Sequence, residues 1–364
     1  MALVRLGIGH SMYYWMPDAI DWTEIKALAE QHGLSAVVLD GLHSAHDSGF
    51  LNEPGDRVQR KVHDSMPQIM RLEWIGEVLQ NYEARYASYE KAIGSLAGFY
   101  NAHGFKMMVL KGYACSLDWP KPSHRPAGDI DIWQFGQYHE ADAFLALEKG
   151  VKVDTSHHHH TVFEWAGFTV ENHYDFINVH HHKSNGEFEA ILKGLGNDDS
   201  HFVEMCGEQV YMPSPNLHAL FLLKHTMMHF ASEGIKLRQV LDWGFFVEKH
   251  PQGVDWKMVL DVLDRFGMRQ MFNIINAICV DNLGFNAGIF PEVQFEPGLK
   301  ERVMNEILQP EHSAKLPKCF LPRIAFKTRR WIDNGWKHRI CYKESMWSAF
   351  WSGVWNHLLK PSSI

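Results

Sequence analysis

Apolar residues recur at every third or fourth position at both ends of the chain and alternate with polar ones in its middle. Near the N-terminal end, Asp21 stands as a capping acid before an amphipathic run holding Ile25, Leu28 and Ala29, and Gly33 stops it. From Leu72 to His103 the residues Leu72, Ile75, Leu79, Tyr82, Tyr86, Tyr89, Ile93, Leu96 and Phe99 predict one long helix, or two, ended by Gly104. Residues 41–57, rich in Gly, Ser, Asp and Pro, predict a loop between them. Residues 1–104 are thus expected to form a helical N-terminal region.

The period changes at Phe105. A short apolar run, Lys106 to Leu110, is followed by Lys111-Gly112 and a short helical stretch, then by a loop containing Pro120, Pro122 and Pro126. Asp129-Ile130-Asp131-Ile132-Trp133 alternates strictly, residues 137–149 are helical in spacing, and Gly150 ends them. Strand-like runs follow near 151–156, 158–165 and 168–179, with Gly167 as a turn between the last two. The pattern β-α-β-α-β-β-β predicts an α+β sheet domain over residues 105–213. After Pro215 helical spacing returns over 216–249, 255–266, 268–283 and 297–308. A last helix near 344–359 sets Trp347, Trp351 and Trp355 four apart, so residues 214–364 are expected to form a helical C-terminal domain.

Composition narrows the class. At 364 residues, 46% of them apolar and 21% charged, the chain can bury a core without staples. Five cysteines, widely spaced and without C-x-x-C, argue against a disulfide scaffold and a cysteine-based zinc finger. There is no apolar signal segment and no run long enough for a membrane span, so a cytoplasmic location is expected. A formal charge of −8 disfavours nucleic acid as a partner.

The chemistry concentrates at Asp129 and Asp131. On a strand these two carboxylates project from one face while Ile130 and Ile132 enter the core. Carboxylates held that close call for a hard cation, and Mg²⁺ completed by triphosphate oxygens is the natural one. Upstream, Lys111-Gly112 closes a strand and opens a helix, where backbone N–H groups can approach phosphate. Arg125, four residues before Asp129, can reach the same phosphates. The stretch Val170 to Phe176 sets Glu171, His173 and Asp175 on one face; Glu171 is the first choice for a third acid and base, Asp175 the second.

The runs Val109-Leu110-Lys111-Gly112, Arg125-Pro126-Ala127-Gly128-Asp129-Ile130-Asp131 and Val170-Glu171-Asn172-His173-Tyr174 resemble a bacterial family of uncharacterised nucleotidyltransferases in the polymerase-β-type superfamily. The resemblance spans roughly residues 20–250 and is most specific over 107–133. It implies a nucleotidyltransferase-like mixed sheet core with helical flanks, in which Asp129, Asp131 and Glu171 hold two Mg²⁺ ions. It implies that Lys111, Gly112 and Arg125 cradle an NTP such as ATP. A later helical motif of the family has its counterpart in Lys224, His225 and His229, then Arg238 and Asp242, as cleft residues beside His173 and Asp175. The implied reaction moves a nucleoside monophosphate to an acceptor, a small molecule rather than a macromolecule, with release of pyrophosphate. One departure is Gly112-Tyr113, where better-known relatives have Gly-Gly or Gly-Ser. Tyr113 lacks the serine contact, and this raises the alternative of a catalytically impaired nucleotide-binding module.

Histidine is abundant: 24 in all, eight of them between 157 and 182. Strand alternation allows only His157 with His159, or His158 with His160, to converge, so these runs are expected to wall the site rather than cage a metal. His225 and His229 share a helix face, but Thr226 replaces the glutamate a zincin needs. His46-Asp47 and His63-Asp64 are dyads of the kind found in metal-dependent phosphohydrolases, a second alternative, but both are expected in loops. Residues 323–343 carry seven Lys/Arg against Asp333 alone, with Trp331, Trp336 and Tyr342 interleaved. A solvated basic face over inward-packed aromatics is expected there.

Overall fold

Among the described residues, six short strands share one mixed sheet, with helices packed on both of its faces. The computed structural model describes residues 1–10, 19–47, 66–180, 182–291, 295–311 and 320–347. The strands are β1 (Met108–Val109), β2 (Ile130–Trp133), β3 (His160–Trp165), β4 (Phe168–His173), β5 (Phe202–Met205) and β6 (Glu208–Tyr211). Across the sheet they run β3-β4-β2-β1-β6-β5. β2 is parallel to β4 and antiparallel to β1, β1 is parallel to β6, and β3–β4 and β5–β6 are antiparallel hairpins. This is the α+β architecture that the periodicity predicts.

Alternation along the strands divides the core in two. Met107, Val109, Ile130, Ile132 and Val170 enter one cluster with Tyr86, Tyr89, Ile93 and Leu96 of the helix Arg85–Ala102. Met108, Leu110 and Trp133 enter the other, with Leu220 and Phe221 of the helix Pro215–Ser232, the helices further along the chain and those at residues 2–47. Asp131 and Glu171 therefore project towards the second face.

Local signals account for several boundaries. The Asp21 carboxylate accepts from the N–H groups of Thr23 and Glu24 at 3.0 Å each, and Gly33 closes the helix Trp22–His32 at φ 68°. Ala166 and Gly167, at φ 50° and 84°, give the positive-φ pair that a two-residue hairpin turn requires. The helical pattern from residue 72 holds, but Leu72 and Leu79 face solvent at 62% and 52% exposure. A π-helical segment, Leu79–Ala84, interrupts the α ladder and resets the face that the following helix presents.

The structure corrects other expectations. Residues 41–47 are not loop but the end of the helix Ser35–Asp47, which carries His46 and Asp47; His63 and Asp64 lie outside the described residues. Residues 151–156 form no strand and contribute one bridge, Asp154 to Val162. The helix Asn185–Gly196 and the β5–β6 hairpin add to the elements that the periodicity predicts. That hairpin turns through Cys206 and Gly207 at φ 55° and 83°. Trp336 and Tyr342 are buried as expected, Lys337 is buried against Glu306, and Arg323, Lys327 and Arg329 are exposed. Trp351 and Trp355 lie outside the described residues. Among the described residues no helix is long and apolar enough to cross a membrane.

Candidate active site

Asp131 and Glu171 are direct partners in the parallel β2–β4 register, and His173, two residues on, faces Trp133. The two carboxylates and the imidazole thus rise from adjacent strands on the face covered by the helix Pro215–Ser232. Lys111 follows β1 with the uncommon φ of 34°, which aims its side chain across β2. Its Nζ donates to Asp131 Oδ1 at 2.9 Å and lies 5.3 Å from the centre of the Phe221 ring. His173 Nε2 lies 3.0 Å from the same Oδ1 and 3.7 Å from Glu171 Oε2. The other ring nitrogen, Nδ1, lies 3.1 Å from the Asp175 carbonyl. A carbonyl only accepts, so Nδ1 carries the hydrogen.

Charge separates the two acids. Burial raises the Asp131 carboxyl, but the Lys111 ammonium, the largest opposing influence, holds the group well below the usual carboxylate range. Burial and the Asp131 charge push Glu171 up to about 7. Burial and then Lys111 lower His173; burial, His173 and His157 bring His160 down to about 3. The site therefore pairs an ionised acid with one poised near neutrality, beside neutral imidazoles.

Asp129 is the more exposed acid of the D-x-D pair, and burial and Asp131 raise its carboxyl. Its carbonyl accepts from the Tyr89 hydroxyl at 2.7 Å. Among the described residues, Asp131, Glu171 and His173 bring ligand atoms within 4.8 Å of one another, and so do His159, His160 and His173; Asp129 joins neither set. Asp175 pairs with Lys193 instead of joining Asp131.

Gly112 is required by a close approach: a Cβ there would lie 2.8 Å from Tyr89 Oη and 3.4 Å from the Asp129 carbonyl. The neighbouring Tyr113 turns its ring into the other core cluster, stacked on Tyr86 at 6.1 Å, with its hydroxyl 3.3 Å from Glu90. The ring therefore does not stand over the acids. Arg125 is buried and bidentate on Asp242, with Nε–Oδ1 at 2.8 Å and Nη2–Oδ2 at 3.0 Å. Asp242, expected as a cleft residue, is thus the buried partner of Arg125, with Trp119 Nε1 donating to the same Oδ1 at 2.9 Å. Arg125 braces the loop before β2 and does not extend into open space as a phosphate clamp. Its Nη1 remains 3.8 Å from where a Gly112 Cβ would stand.

On the covering helix, His225 and His229 pack ring to ring at 4.4 Å within the fields of Lys111 and Asp131; burial and then the Lys111 charge lower both imidazoles. Lys224 points elsewhere, over Phe188 and Tyr342 at 5.2 and 4.5 Å, and burial pushes its ammonium down to about 8. Arg238 lies beside Gly33, where burial and Arg125 lower its guanidinium.

The sequence reading missed Tyr89, His159 and His160. The alternation rule failed for the histidines because residues 157–159 form a bend ahead of β3. Two consecutive rings then both reach His173, at 5.6 Å from His159 and 5.3 Å from His160. Tyr89 was legible only as a core position of its helix.

A mixed sheet with paired carboxylates on neighbouring strands, beside a lysine-glycine turn, defines a nucleotidyltransferase-like protein. Residues 18–284 match the family described as uncharacterised nucleotidyltransferase, and the chain belongs to that family. Membership implies a nucleotide as substrate. A crystal structure of an antigenic nucleotidyltransferase-like protein from Paracoccidioides brasiliensis is similar at 12% identity and a TM-score of 0.32, over 48% of this chain and 87% of that one. No curated protein matches the sequence.

Proposed function

We propose that the chain transfers a nucleoside monophosphate from an NTP to a small-molecule acceptor, at Asp131 and Glu171, with pyrophosphate leaving. The observation that carries this reading is the register pairing of those two acids, with the Lys111 ammonium on Asp131. A divalent cation, expected from the sequence as a pair of Mg²⁺ ions, would be held by Asp131 and Glu171 with Asp129 beside them. It would neutralise charge on the phosphates.

The chain's own residues do the rest. Lys111, between β1 and its short helix, meets the phosphates with positive charge, and His225 and His229 wall the opposite side. Glu171, pushed up to about 7 in the absence of a cation, accepts the proton of the attacking acceptor group. Arg125 and Asp242 keep the loop before β2 in place, so that Asp129 and Asp131 stay aligned with Gly112.

Tyr113 packs its ring away from the acids, so it neither covers them nor supplies the serine contact, and the impaired-module alternative keeps that ground. The two readings separate in a thermal-shift panel of NTPs with and without divalent cations, followed by an assay for pyrophosphate. Transfer predicts a cation-dependent shift together with pyrophosphate release. A shift without any pyrophosphate across the acceptor panel favours the module.

A further inference from the structure

We propose that the cation at this site is a first-row transition-metal dication held by a mixed set of nitrogen and oxygen donors: Asp131, Glu171 and His173. The inference rests on the reading of Asp131 and Glu171 as cation ligands, and not on NTP turnover.

The carrying observation is the orientation of His173. Its Nδ1 hydrogen is committed to the Asp175 carbonyl, which leaves the Nε2 lone pair of a neutral ring aimed at Asp131 Oδ1 from 3.0 Å. Two acceptors at that separation repel unless a proton or a cation joins them. A metal ion joins them well. Donors at right angles, each about 2.1 Å from one ion, stand about 3.0 Å apart. The 3.7 Å from Nε2 to Glu171 Oε2 is near the wider edge of a tetrahedral arrangement, about 3.4 Å on the same bond lengths.

His160 stands beside this set without joining it, a further buried nitrogen at the edge of the site. Its residue is 7% exposed, and Nδ1 has no hydrogen-bond partner among the described residues. That nitrogen lies 3.9 Å from Glu171 Oε2. The bend carrying it is tied to the end of β4, because the N–H groups of Tyr174 and Asp175 both donate to the His159 carbonyl at 3.1 Å. A buried imidazole nitrogen is thus held beside the carboxylate oxygen that already faces His173.

Charge and donor type then select the ion. Asp129, Asp131 and Glu171 together carry three negative charges when ionised, and Lys111 returns one, so a dication is accommodated. Mg²⁺ favours an all-oxygen octahedron and dehydrates reluctantly, whereas imidazole suits Mn²⁺, Co²⁺ or Zn²⁺.

The test uses the full chain, stripped by chelation and loaded with Mn²⁺ without nucleotide. Pulsed EPR reads nitrogen coupling to the ion, and calorimetry compares Mn²⁺, Co²⁺ and Mg²⁺. The expected result is imidazole nitrogen coupling in the wild type, with Mn²⁺ and Co²⁺ bound at least about tenfold more tightly than Mg²⁺. His173→Ala, checked for native circular dichroism, is expected to weaken Mn²⁺ binding by about tenfold or more. Absence of nitrogen coupling in the wild type, equal affinity for Mg²⁺ and Mn²⁺, or no cation binding overturns the inference, whatever the variant does. A nitrogen-free site that still supports Mg²⁺-dependent NTP turnover overturns this inference alone. Nitrogen-coupled Mn²⁺ without NTP turnover overturns the proposed function alone.

Discussion

Asp131 and Glu171 stand directly opposite each other on parallel β2 and β4, and the Lys111 ammonium and the His173 ring both approach Asp131. The Lys111 charge makes Asp131 the ionised member of the pair, and burial and the Asp131 charge leave Glu171 raised to about 7. In metal-free protein, Asp131→Asn removes the charge that is the second cause of the Glu171 shift. The Glu171 carboxyl should then titrate lower, yet stay above its ordinary value because burial, the larger cause, remains. Carboxyl NMR titration, assigned with Glu171→Gln, checks this; an unmoved Glu171 would show that the two acids are not coupled.

Gly112 and Tyr89 define a second relationship. A methyl at 112 meets the Tyr89 hydroxyl at 2.8 Å, so Gly112→Ala is expected to destabilise by about 1–3 kcal/mol. Tyr89→Phe loses the bond to the Asp129 carbonyl, worth about 1 kcal/mol, and opens the space. The double variant should therefore be more stable than the sum of the two losses predicts. Denaturant melts of all four proteins measure the coupling, and strict additivity contradicts the contact.

Arg125 and Asp242 are buried partners far apart in the chain. Arg125→Met strands the Asp242 carboxylate, and a loss of about 3–5 kcal/mol is expected. Combining it with Asp242→Leu should recover most of that stability, because no charge is then left unpaired. Turnover should remain depressed in the stabilised double variant, since the loop before β2 loses its brace. Wild-type turnover there would reduce the pair to a structural role.

Lys224 gives a stability prediction with a definite sign. Burial lowers its folded value to about 8, so from neutral pH up to that point the native state bears the cost of a buried ammonium that the unfolded chain does not. The native state releases this proton first, and the cost disappears as pH rises from about 8 towards the unfolded value near 10.5. Lys224→Met should thus stabilise by about 1–3 kcal/mol at pH 7, after allowance for the lost ring contacts, and by progressively less towards pH 10. Melting curves across that range decide it; a destabilised variant at pH 7 would show that the ammonium is well accommodated.

Much of this arrangement is legible in the sequence where a rule is local. Alternation at 129–133 places Asp131 on one face and Ile130 and Ile132 on the other, and the Asp21 cap and the glycines at 33, 150 and 167 fall where their φ values require them. What escaped depends on contacts distant in the chain. Arg125 reads as a phosphate ligand because it lies four residues from Asp129, but its partner Asp242 is 117 residues away. The β5–β6 hairpin hides because Cys206 takes a positive φ usually given to Asn or Gly. The bend at 157–159 breaks the strand alternation assumed for the histidines, and so conceals that His159 and His160 both turn towards His173.

The most direct test of the central claim follows the α-phosphate. With α-labelled NTP, a divalent cation and a panel of small-molecule acceptors, the wild-type chain should move label to an acceptor and release pyrophosphate. Asp131→Asn, with native circular dichroism, should lose both by a factor on the order of 10² or more. Unchanged label transfer in Asp131→Asn, or release of orthophosphate in place of pyrophosphate, would contradict nucleotidyl transfer at this site.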